Sequence, residues 1–302
     1  MPSNLSLAGV FPPVVTPFKE NGDLDTAALR ANLEKLNQQP LAGYVLGGSN
    51  GEFTSLTVQE RLEVVGVGRE LTPPGRLLIA GSGLESTRAT LHLTEKMAKL
   101  GADVVIVVTP GYFKAKMTAA ALEAYYREVA DHSAVPVLLY SVPANTGVDL
   151  PAAAVAKLAA HPNVIGIKDS GGDITQIGQM VQDCTAVRPD FQILAGSAGF
   201  FLPALAVGAV GGVMALANIA GPQLHAVYAQ FLAGDLAGAR AAHLRLIEAN
   251  TAVTARFGVA GLKAAMHMLG CAGGWVRGPL LPLPEDDQVI LRGILMKAGV
   301  LS

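Results

Sequence analysis

One lysine in this sequence stands where an apolar run ends, a place where an amine can act as a nucleophile. Lys168 follows the run Val164–Ile167, which is predicted to be buried. Burial lowers the pKa of an amine because it disfavours the charged form, and a neutral amine can attack a ketone to form an imine. A buried ion pair with Asp169 or Glu52 explains the same lysine without chemistry, since ammonium groups are rarely buried unpaired. The sequence leaves both interpretations open.

A tyrosine ends the apolar run that precedes the lysine segment. Tyr140 follows Val137–Leu139 and lies beside Lys168 if the two runs are neighbouring strands. A phenol at that position can relay protons, with an ordinary pKa of about 10. A buried aromatic side chain whose hydroxyl bonds to a backbone group explains the pattern equally well.

A glycine-rich segment follows another apolar run. Gly47–Glu52 contains small residues that let a ligand approach the backbone, and its amides together with the Ser49 hydroxyl suit a carboxylate. The segment lacks the GxxxxGK(S/T) pattern of a nucleotide P-loop, and no GxGxxG pattern follows a strand. Alone it is a weak signal, because glycine-rich turns are common between strands and helices.

Eight short apolar runs, alternating with segments of helical period, position these candidates. The runs show no polar alternation, which is typical of parallel strands covered on both faces. We predict strands at Gly9–Val15, Gly43–Leu46, Leu77–Ala80, Asp103–Val108, Pro136–Tyr140, Val164–Ile167, Gln192–Ala195 and Gly212–Ala215. We predict the first four helices at Asp25–Gln39, Thr57–Leu71, Ser86–Leu100 and Thr118–His132. This α/β pattern favours a (β/α)8 TIM barrel over an open sheet, and a barrel carries its functional residues at the C-terminal ends of strands.

The last third of the chain has only helical periodicity. We predict helices at Pro222–Gly234, Leu236–Phe257 and Ala260–Leu269, then a loop over Gly273–Pro284 and a last helix from Pro284. The first of these helices completes the barrel. We therefore predict a barrel over residues 1–234 and a C-terminal helical extension over residues 235–302 that packs on it.

The composition argues against several classes of protein. The 302 residues carry a formal net charge of −2 and no run of Lys and Arg, so nucleic acid is not an expected partner. Cys184 and Cys271 form no CxxC pair, and the six histidines show no ligand spacing, so no metal is expected. No apolar run is long enough to span a bilayer, and the N-terminus does not resemble a signal peptide. We expect a soluble, cytoplasmic protein with no membrane partner.

Three motifs in order resemble those of the dihydrodipicolinate synthase and N-acetylneuraminate lyase family of class I aldolases. Gly47–Glu52 stands where the family has a G-x-S/T-G-E type of carboxylate-binding motif. Tyr140–Pro143 is similar to the family's Y-N-x-P around a catalytic tyrosine, and Gly166–Ser170 to the segment with the Schiff-base lysine. The resemblance covers nearly the whole chain and implies a pyruvate-dependent aldolase on a TIM barrel.

The resemblance also implies roles for single residues. It implies that Lys168 forms the imine, Tyr140 relays the proton, Ser49 and Asn50 hold the pyruvyl carboxylate, Gly196 supplies a backbone contact, Ser170 contacts a second carboxyl group, and Tyr112 reaches into a neighbouring subunit's site. No cofactor is expected, because the protonated imine supplies the positive charge that a metal supplies elsewhere. The family usually forms tetramers, so a homotetramer is expected.

One position in the predicted substrate-binding set departs from the synthase pattern. Dihydrodipicolinate synthases typically place an Arg shortly after the tyrosine motif, where this sequence has Asn145. The loss of a bidentate carboxylate clamp argues against aspartate semialdehyde as a substrate. Stretches such as GGSNGEF and LYSVPANTGVDLP most closely resemble 4-hydroxy-2-oxoglutarate aldolases, which implies cleavage of that acid to pyruvate and glyoxylate. The alternatives are a 4-hydroxy-tetrahydrodipicolinate synthase, an N-acetylneuraminate lyase, a 2-keto-3-deoxy sugar acid aldolase or a non-catalytic sensor of 2-oxo acids.

Overall fold

Eight parallel strands form one sheet in the computed structural model, which describes residues 5–301. The strands are β1 Gly9–Phe11, β2 Gly43–Leu46, β3 Leu77–Gly81, β4 Val104–Val108, β5 Val137–Ser141, β6 Val164–Asp169, β7 Gln192–Ala195 and β8 Gly211–Val213. From β2 onward each strand pairs with the next, and β8 pairs with β1. The predicted barrel is confirmed, and the predicted strand bounds agree to within two residues except in β1.

The barrel closes through backbone hydrogen bonds between β1 and β2. The amide of Val14 donates to the carbonyl of Val45 at 2.9 Å, just beyond the end of β1. The regular ladder stops earlier because Pro12 and Pro13 have no N–H to donate. The predicted strand Gly9–Val15 is therefore too long at its C-terminal end.

Helices follow the strands around the outside of the barrel. They are α1 Thr26–Leu36, α2 Val58–Leu71, α3 Thr87–Lys99, α4 Ala119–His132, α5 Pro143–Thr146, α6 Ala152–Ala159, α7 Ile174–Val187, α8 Phe201–Ala206, α9 Ala217–Leu232, α10 Leu236–Thr251, α11 Gly258–Met268 and α12 Glu285–Lys297. Side chains set several of the starts. Thr57 and Glu60 form a reciprocal capping box at α2, and the Ser86 and Thr118 hydroxyls accept amides at the starts of α3 and α4.

Two apolar layers hold the strands in place. The inner layer fills the barrel and includes Phe11, Val45, Ile79 and Leu138. The outer layer lies between the strands and the helices and contains most of the buried aliphatic side chains. Tyr140 belongs to the inner layer, so its ring lies inside the barrel.

One helix of the C-terminal extension differs from the prediction. The predicted helix Leu236–Phe257 is α-helical only to Thr251 and continues as a π-helical turn over Ala252–Arg256. The next helix begins at Gly258, whose φ of 57° lies in the left-handed region that glycine tolerates. Apolar periodicity runs through such a turn, so it could not reveal the break.

The extension packs closely on the barrel. Helix α12 contacts α10 and α11, and both α10 and α11 contact α9. Gly273–Pro284 contains no helix, as predicted, and α12 follows it directly. The division of the chain at residue 234 stays a prediction, and residues 1–4 and 302 lie outside the described residues. Within residues 5–301, every helix is too short or too polar to cross a lipid bilayer.

Candidate active site

Lys168 and Tyr140 lie side by side at the C-terminal end of the barrel, as the sequence predicted. They are register partners on β6 and β5. Only 4% of Lys168 and 5% of Tyr140 are exposed, and the Lys168 Nζ lies 4.0 Å from the centre of the phenol ring. An amine and a phenol therefore share one nearly dry site.

The Lys168 ammonium forms no salt bridge with a carboxylate among residues 5–301. The Asp169 carboxylate accepts backbone amides of the following loop at 3.0 and 3.3 Å. Glu52 pairs instead with Lys263 at 2.5 Å. The ion-pair interpretation of Lys168 is therefore wrong for the described residues, and its amine remains next to the phenol.

The surroundings of Tyr140 favour its phenolate. Burial raises the pKa of Tyr140, but the positive charge of Lys168 and hydrogen bonds to the phenol oxygen outweigh burial, and the pKa lies below its ordinary value of 10.0. One such bond joins the Ser49 and Tyr140 hydroxyls at 3.4 Å, and Ser170 contributes another. A lowered pKa increases the fraction of phenolate near neutral pH, and the phenolate is the form that can accept a proton in a relay.

The glycine-rich loop lies at the mouth of the barrel. Gly47 leaves β2 with a φ of 68°, and Ser49–Gly51 forms a short 3-10 turn. The Thr16 hydroxyl donates to the Gly51 carbonyl at 2.8 Å and fixes this turn from below. Ser49 and Asn50 are half-buried in the turn, Ser49 within reach of the phenol. A carboxylate held here lies next to the amine.

The ends of β6 and β7 approach each other closely at a glycine. The Gly196 amide donates to the Asp169 carbonyl at 2.6 Å. A Cβ atom at Gly196 would lie 1.9 Å from the Ser170 hydroxyl, so any other residue displaces Ser170. The predicted site residues Ser170 and Gly196 are thus brought together beside Lys168 and Tyr140.

A cavity of about 550 Å³ opens above this site. Its wall includes Ser49, Tyr112 and Asn145. A narrower pocket beneath it contains Lys168 and Tyr140 and shares four wall residues with the larger cavity: Phe53, Arg61, Gly83 and Val108. The two spaces are therefore adjacent, with the amine in the inner one.

Two predicted site residues lie in the outer cavity, away from the amine. Tyr112 has 79% of its surface exposed, and its amide donates to the Glu85 carboxylate at 2.9 Å. Asn145 is exposed on the short helix α5. Within the described chain, Tyr112 does not line the pocket that holds Lys168.

The sequence matches one protein family over almost its full length. A model of the dihydrodipicolinate synthetase family matches residues 6–298. The chain belongs to this family. Members of the dihydrodipicolinate synthetase family make or break carbon–carbon bonds, so the chain is a carbon–carbon lyase, a pyruvate-dependent class I aldolase.

Members of the dihydrodipicolinate synthetase family resemble the chain in sequence and in fold. A 4-hydroxy-tetrahydrodipicolinate synthase of Methanothrix thermoacetophila is 34% identical over 97% of this chain and 98% of its own length. The crystal structure of a Thermotoga maritima dihydrodipicolinate synthase is 30% identical, with a TM-score of 0.93 over 97% of this chain and 99% of that one. The structure of Escherichia coli YagE, solved in complex with pyruvate, is 28% identical in sequence and has a TM-score of 0.92. The match covers 98% of this chain and 100% of YagE. The expected special likeness to 4-hydroxy-2-oxoglutarate aldolase is not confirmed by these names.

The candidate site contains an arginine that sequence reasoning missed. Arg61 lies on α2, is only 2% exposed and borders both the outer cavity and the lysine pocket. It donates to the Gly81 carbonyl at 2.5 Å, and its guanidinium lies 5.1 Å from the centre of the Phe53 ring. Burial lowers the pKa of Arg61 to about 10, which leaves it charged at neutral pH. Arginine on an amphipathic helix usually faces solvent, so no sequence pattern indicated that Arg61 is buried at the site.

Lys263 and Arg277 of the C-terminal extension were also missed. Lys263 is 2% exposed, although it lies in the apolar stretch Gly258–Met268. A lone lysine in such a stretch is the available signal, because a buried ammonium needs a charged partner. The six histidines lie outside the candidate site, and residues 5–301 contain no group of three or more His, Cys, Asp or Glu side chains arranged to hold a metal ion.

Replacement of Ser49 by alanine tests the hydrogen bond between the Ser49 and Tyr140 hydroxyls in the candidate site. Ser49→Ala removes the hydroxyl that bonds to Tyr140, so the pKa of Tyr140 rises and the acidic limb of the kcat/KM profile, below which the phenolate is lost, moves to higher pH. The loss of a hydrogen bond to a substrate carboxylate raises KM about 10- to 100-fold. Initial rates between about pH 6 and pH 10 measure both effects. Unchanged KM and an unchanged acidic limb contradict the assignment of Ser49.

The pH dependence of the free energy of unfolding tests the pKa of Asp169, the carboxyl group next to Lys168 in the chain. Burial raises the pKa of Asp169 to about 6, above its unfolded value, so its contribution favours folding at low pH and is lost as pH rises through about 6. Asp169→Asn removes this loss. We compare the free energy of unfolding of the variant with that of wild type at two pH values. The difference in favour of the variant is expected to be about 1 to 2 kcal/mol larger at about pH 8 than at about pH 5. Urea denaturation at both pH values checks this, and a constant difference contradicts it.

Proposed function

We propose that the chain cleaves 4-hydroxy-2-oxoglutarate to pyruvate and glyoxylate through an imine on Lys168. The observation that carries the choice of substrate is Asn145, which lines the outer cavity at the position where the synthases resembled by this sequence have an arginine. An amide gives no bidentate clamp for the carboxylate of a longer aldehyde. Glyoxylate, the smallest aldehyde acid, leaves that part of the cavity unfilled.

The first step is imine formation on Lys168. In the neutral form, its amine attacks the C2 ketone, and loss of water gives a protonated imine. The pocket around Lys168 supports this step because the amine has no carboxylate partner there and is nearly buried. The imine nitrogen then serves as the electron sink for bond cleavage.

The second step breaks the bond between C3 and C4. Tyr140, as phenolate, or a water takes the proton of the C4 hydroxyl, the C3–C4 electron pair moves to the imine, and glyoxylate leaves. The remaining enamine takes a proton at C3 and becomes the pyruvyl imine. Water hydrolyses this imine, which releases pyruvate and regenerates the Lys168 amine.

Polar groups around Lys168 fit the two carboxylates of the substrate. We assign the pyruvyl carboxylate to the turn that carries Ser49 and Asn50, which is half-buried at the barrel mouth. We assign the second carboxylate to Ser170, whose position is fixed by the close approach of Gly196. These assignments place C2 of the substrate next to the amine.

A second candidate function is 4-hydroxy-tetrahydrodipicolinate synthase. It is favoured by the name of the Methanothrix relative, at 34% identity. In that case the pyruvyl enamine on Lys168 attacks an aldehyde instead of being protonated. The two candidates share Lys168 and Tyr140 and differ only in the aldehyde partner, so Asn145 is the residue that separates them.

Product identification separates these functions. The purified enzyme is incubated with 4-hydroxy-2-oxoglutarate, with pyruvate plus aspartate semialdehyde, with N-acetylneuraminate and with a 2-keto-3-deoxy sugar acid. Glyoxylate release with the highest kcat/KM supports the proposal, and preferred turnover of the semialdehyde overturns it in favour of the synthase. Pyruvate binding without turnover of any of the four substrates supports a sensor. Lys168→Ala is the control for background chemistry.

We also propose that the chain forms a homotetramer, in which Tyr112 lies at a subunit interface. Tyr112 and Phe113 are 79% and 69% exposed and pack edge to face with ring centres 5.0 Å apart beside the outer cavity. A second subunit is a natural cover for two exposed aromatic rings. Light scattering coupled to size exclusion measures the mass, and a monomeric mass at working concentration contradicts this proposal.

A further inference from the structure

A buried ion pair joins the Gly47–Glu52 loop to the C-terminal extension. The Lys263 ammonium on α11 lies 2.5 Å from the carboxylate of Glu52, and both side chains are only 2% exposed. Lys263 also donates to the Trp275 carbonyl at 2.6 Å and lies 4.6 Å from the centre of the Phe18 ring. The barrel and the extension therefore meet directly behind the proposed carboxylate site.

The second carboxylate oxygen of Glu52 is bound by the same extension. It accepts the Arg277 amide at 3.0 Å. The Arg277 guanidinium is held in turn by the Glu60 carboxylate at 2.6 Å and by the Ser55 carbonyl at 2.7 Å. The guanidinium bond lowers the pKa of Glu60 to about 2, so Glu60 is charged at neutral pH. Both oxygens of Glu52 are thus held by groups that lie far along the chain.

The backbone of Glu52 needs this support. Its φ of 51° lies in the left-handed region, and it is the only non-glycine residue of residues 5–301 with a positive φ. A residue with a side chain is strained there and keeps the conformation only where its surroundings hold it. Glu52 separates the Ser49–Gly51 turn from the Phe53–Ser55 turn, so a change of its φ rotates one turn relative to the other.

We infer that Glu52 and Lys263 are positioning residues for the aldolase reaction: their ion pair fixes the loop so that Ser49 and Asn50 meet the pyruvyl carboxylate. This inference rests on the proposed function, because it takes the carboxylate role of the loop from there. Neither residue contacts the reacting atoms. The C-terminal extension is then part of the active-site support and not only a cover for the barrel.

The ionic character of the pair supports a positioning role. Replacement of a buried ion pair by apolar side chains of similar size often leaves a protein equally stable or more stable. Stability alone therefore gives no reason for this pair. An apolar pair fills the space but gives no acceptor for the Arg277 amide and no directional bond at Glu52, so the strained turn is no longer held.

The test is an apolar replacement of both residues, Glu52→Met with Lys263→Met. We expect the variant to fold with a melting temperature close to wild type, and its KM for 4-hydroxy-2-oxoglutarate to rise about 10- to 100-fold because the loop is misplaced. We expect kcat to change less than KM. Glu52→Gln is the second variant, since it keeps the side-chain shape and an acceptor for Arg277, and a smaller rise in KM is expected.

A surface ion pair gives the matched control. Arg30 and Glu70 lie 2.5 Å apart with 42% and 61% of their side chains exposed, and neither contacts the loop. Arg30→Met with Glu70→Met removes the same charges and leaves KM at the wild-type value. A folded Glu52/Lys263 double variant with KM within about twofold of wild type overturns the inference. A loss of kcat at constant KM also overturns the inference, because it is the result expected of a merely structural role. If the double variant does not fold, Glu52→Gln is judged by the same two criteria.

Pyruvate trapping separates this inference from the proposed function. Borohydride reduces the imine of pyruvate on the lysine, and the pyruvate concentration for half-maximal labelling reports binding at the loop. If wild type takes no label on Lys168, the proposed function fails. If wild type is labelled and the double variant reaches half-labelling at the same pyruvate concentration, only the role of Glu52 and Lys263 fails.

Discussion

Lys168→Arg is expected to lower kcat/KM by about 10⁴-fold or more. Arginine keeps the positive charge and much of the length of the lysine side chain, but its guanidinium stays protonated at neutral pH. It therefore forms no imine with a ketone. The nearly dry site makes the contrast sharp, since only 4% of Lys168 is exposed and no other amine lines its pocket. Initial-rate measurements on the preferred substrate check the effect.

The arginine variant needs two controls. Circular dichroism and thermal melting show whether the barrel still folds around the larger side chain. Lys19→Arg, at an exposed lysine in the loop after β1, is the matched substitution and keeps wild-type rates. A Lys168→Arg variant that folds and retains more than about 1% of the wild-type kcat contradicts imine catalysis at this residue.

Tyr140→Phe is expected to lower kcat by about 10²- to 10⁴-fold, with a much smaller effect on KM. The substitution removes one oxygen that is hydrogen-bonded to the Ser49 hydroxyl and lies beside the amine, and it leaves the ring in the inner layer of the barrel. Without the phenol, the proton of the C4 hydroxyl has no fixed acceptor. Imine formation with pyruvate does not need that proton, so borohydride still labels Lys168 in this variant.

A second buried tyrosine controls for the loss of a hydroxyl. Tyr44 on β2 is fully buried, and its hydroxyl donates to the side-chain oxygen of Asn37 at 2.5 Å, outside the site. Tyr44→Phe costs some stability but leaves kcat unchanged. A Tyr140→Phe variant with kcat within about fivefold of wild type excludes the phenol as the proton relay and leaves that step to water.

The sequence was sufficient to predict how Lys168 and Tyr140 meet. Each ends an apolar run, parallel strands place their C-terminal ends at one side of the barrel, and consecutive strands are neighbours, so the two side chains had to lie together. The same argument predicted the mouth position of the Ser49 turn. Local patterns were enough here because strand order follows chain order in this fold.

The sequence pattern did not predict contacts between residues that lie far apart along the chain. Glu52 was considered as a partner for Lys168, yet it pairs with Lys263, roughly 210 residues further on. The choice between two buried lysines depends on how the C-terminal extension packs, and no periodicity encodes that. The left-handed conformation of Glu52 was hidden for the same reason, since nothing in GGSNGE distinguishes a held glutamate from a solvated one.

Sequence and structure together restrict the choice of aldehyde substrate without selecting a single compound. The barrel, the amine and the phenol serve both candidate functions alike, and the match to the family model does not separate the two. Selectivity depends on one or two side chains in an open cavity, such as Asn145. A single amide in place of a guanidinium removes a clamp but does not specify what binds instead.

The central claim is that Lys168 condenses with a 2-oxo acid, and borohydride trapping tests it most directly. Wild-type enzyme is incubated with pyruvate, reduced with borohydride, digested and examined by mass spectrometry. The account predicts the mass of a reduced pyruvyl group on the peptide that contains Lys168, and no such mass without pyruvate. An unmodified Lys168 peptide, with the label on Lys263 or on a surface lysine, contradicts it.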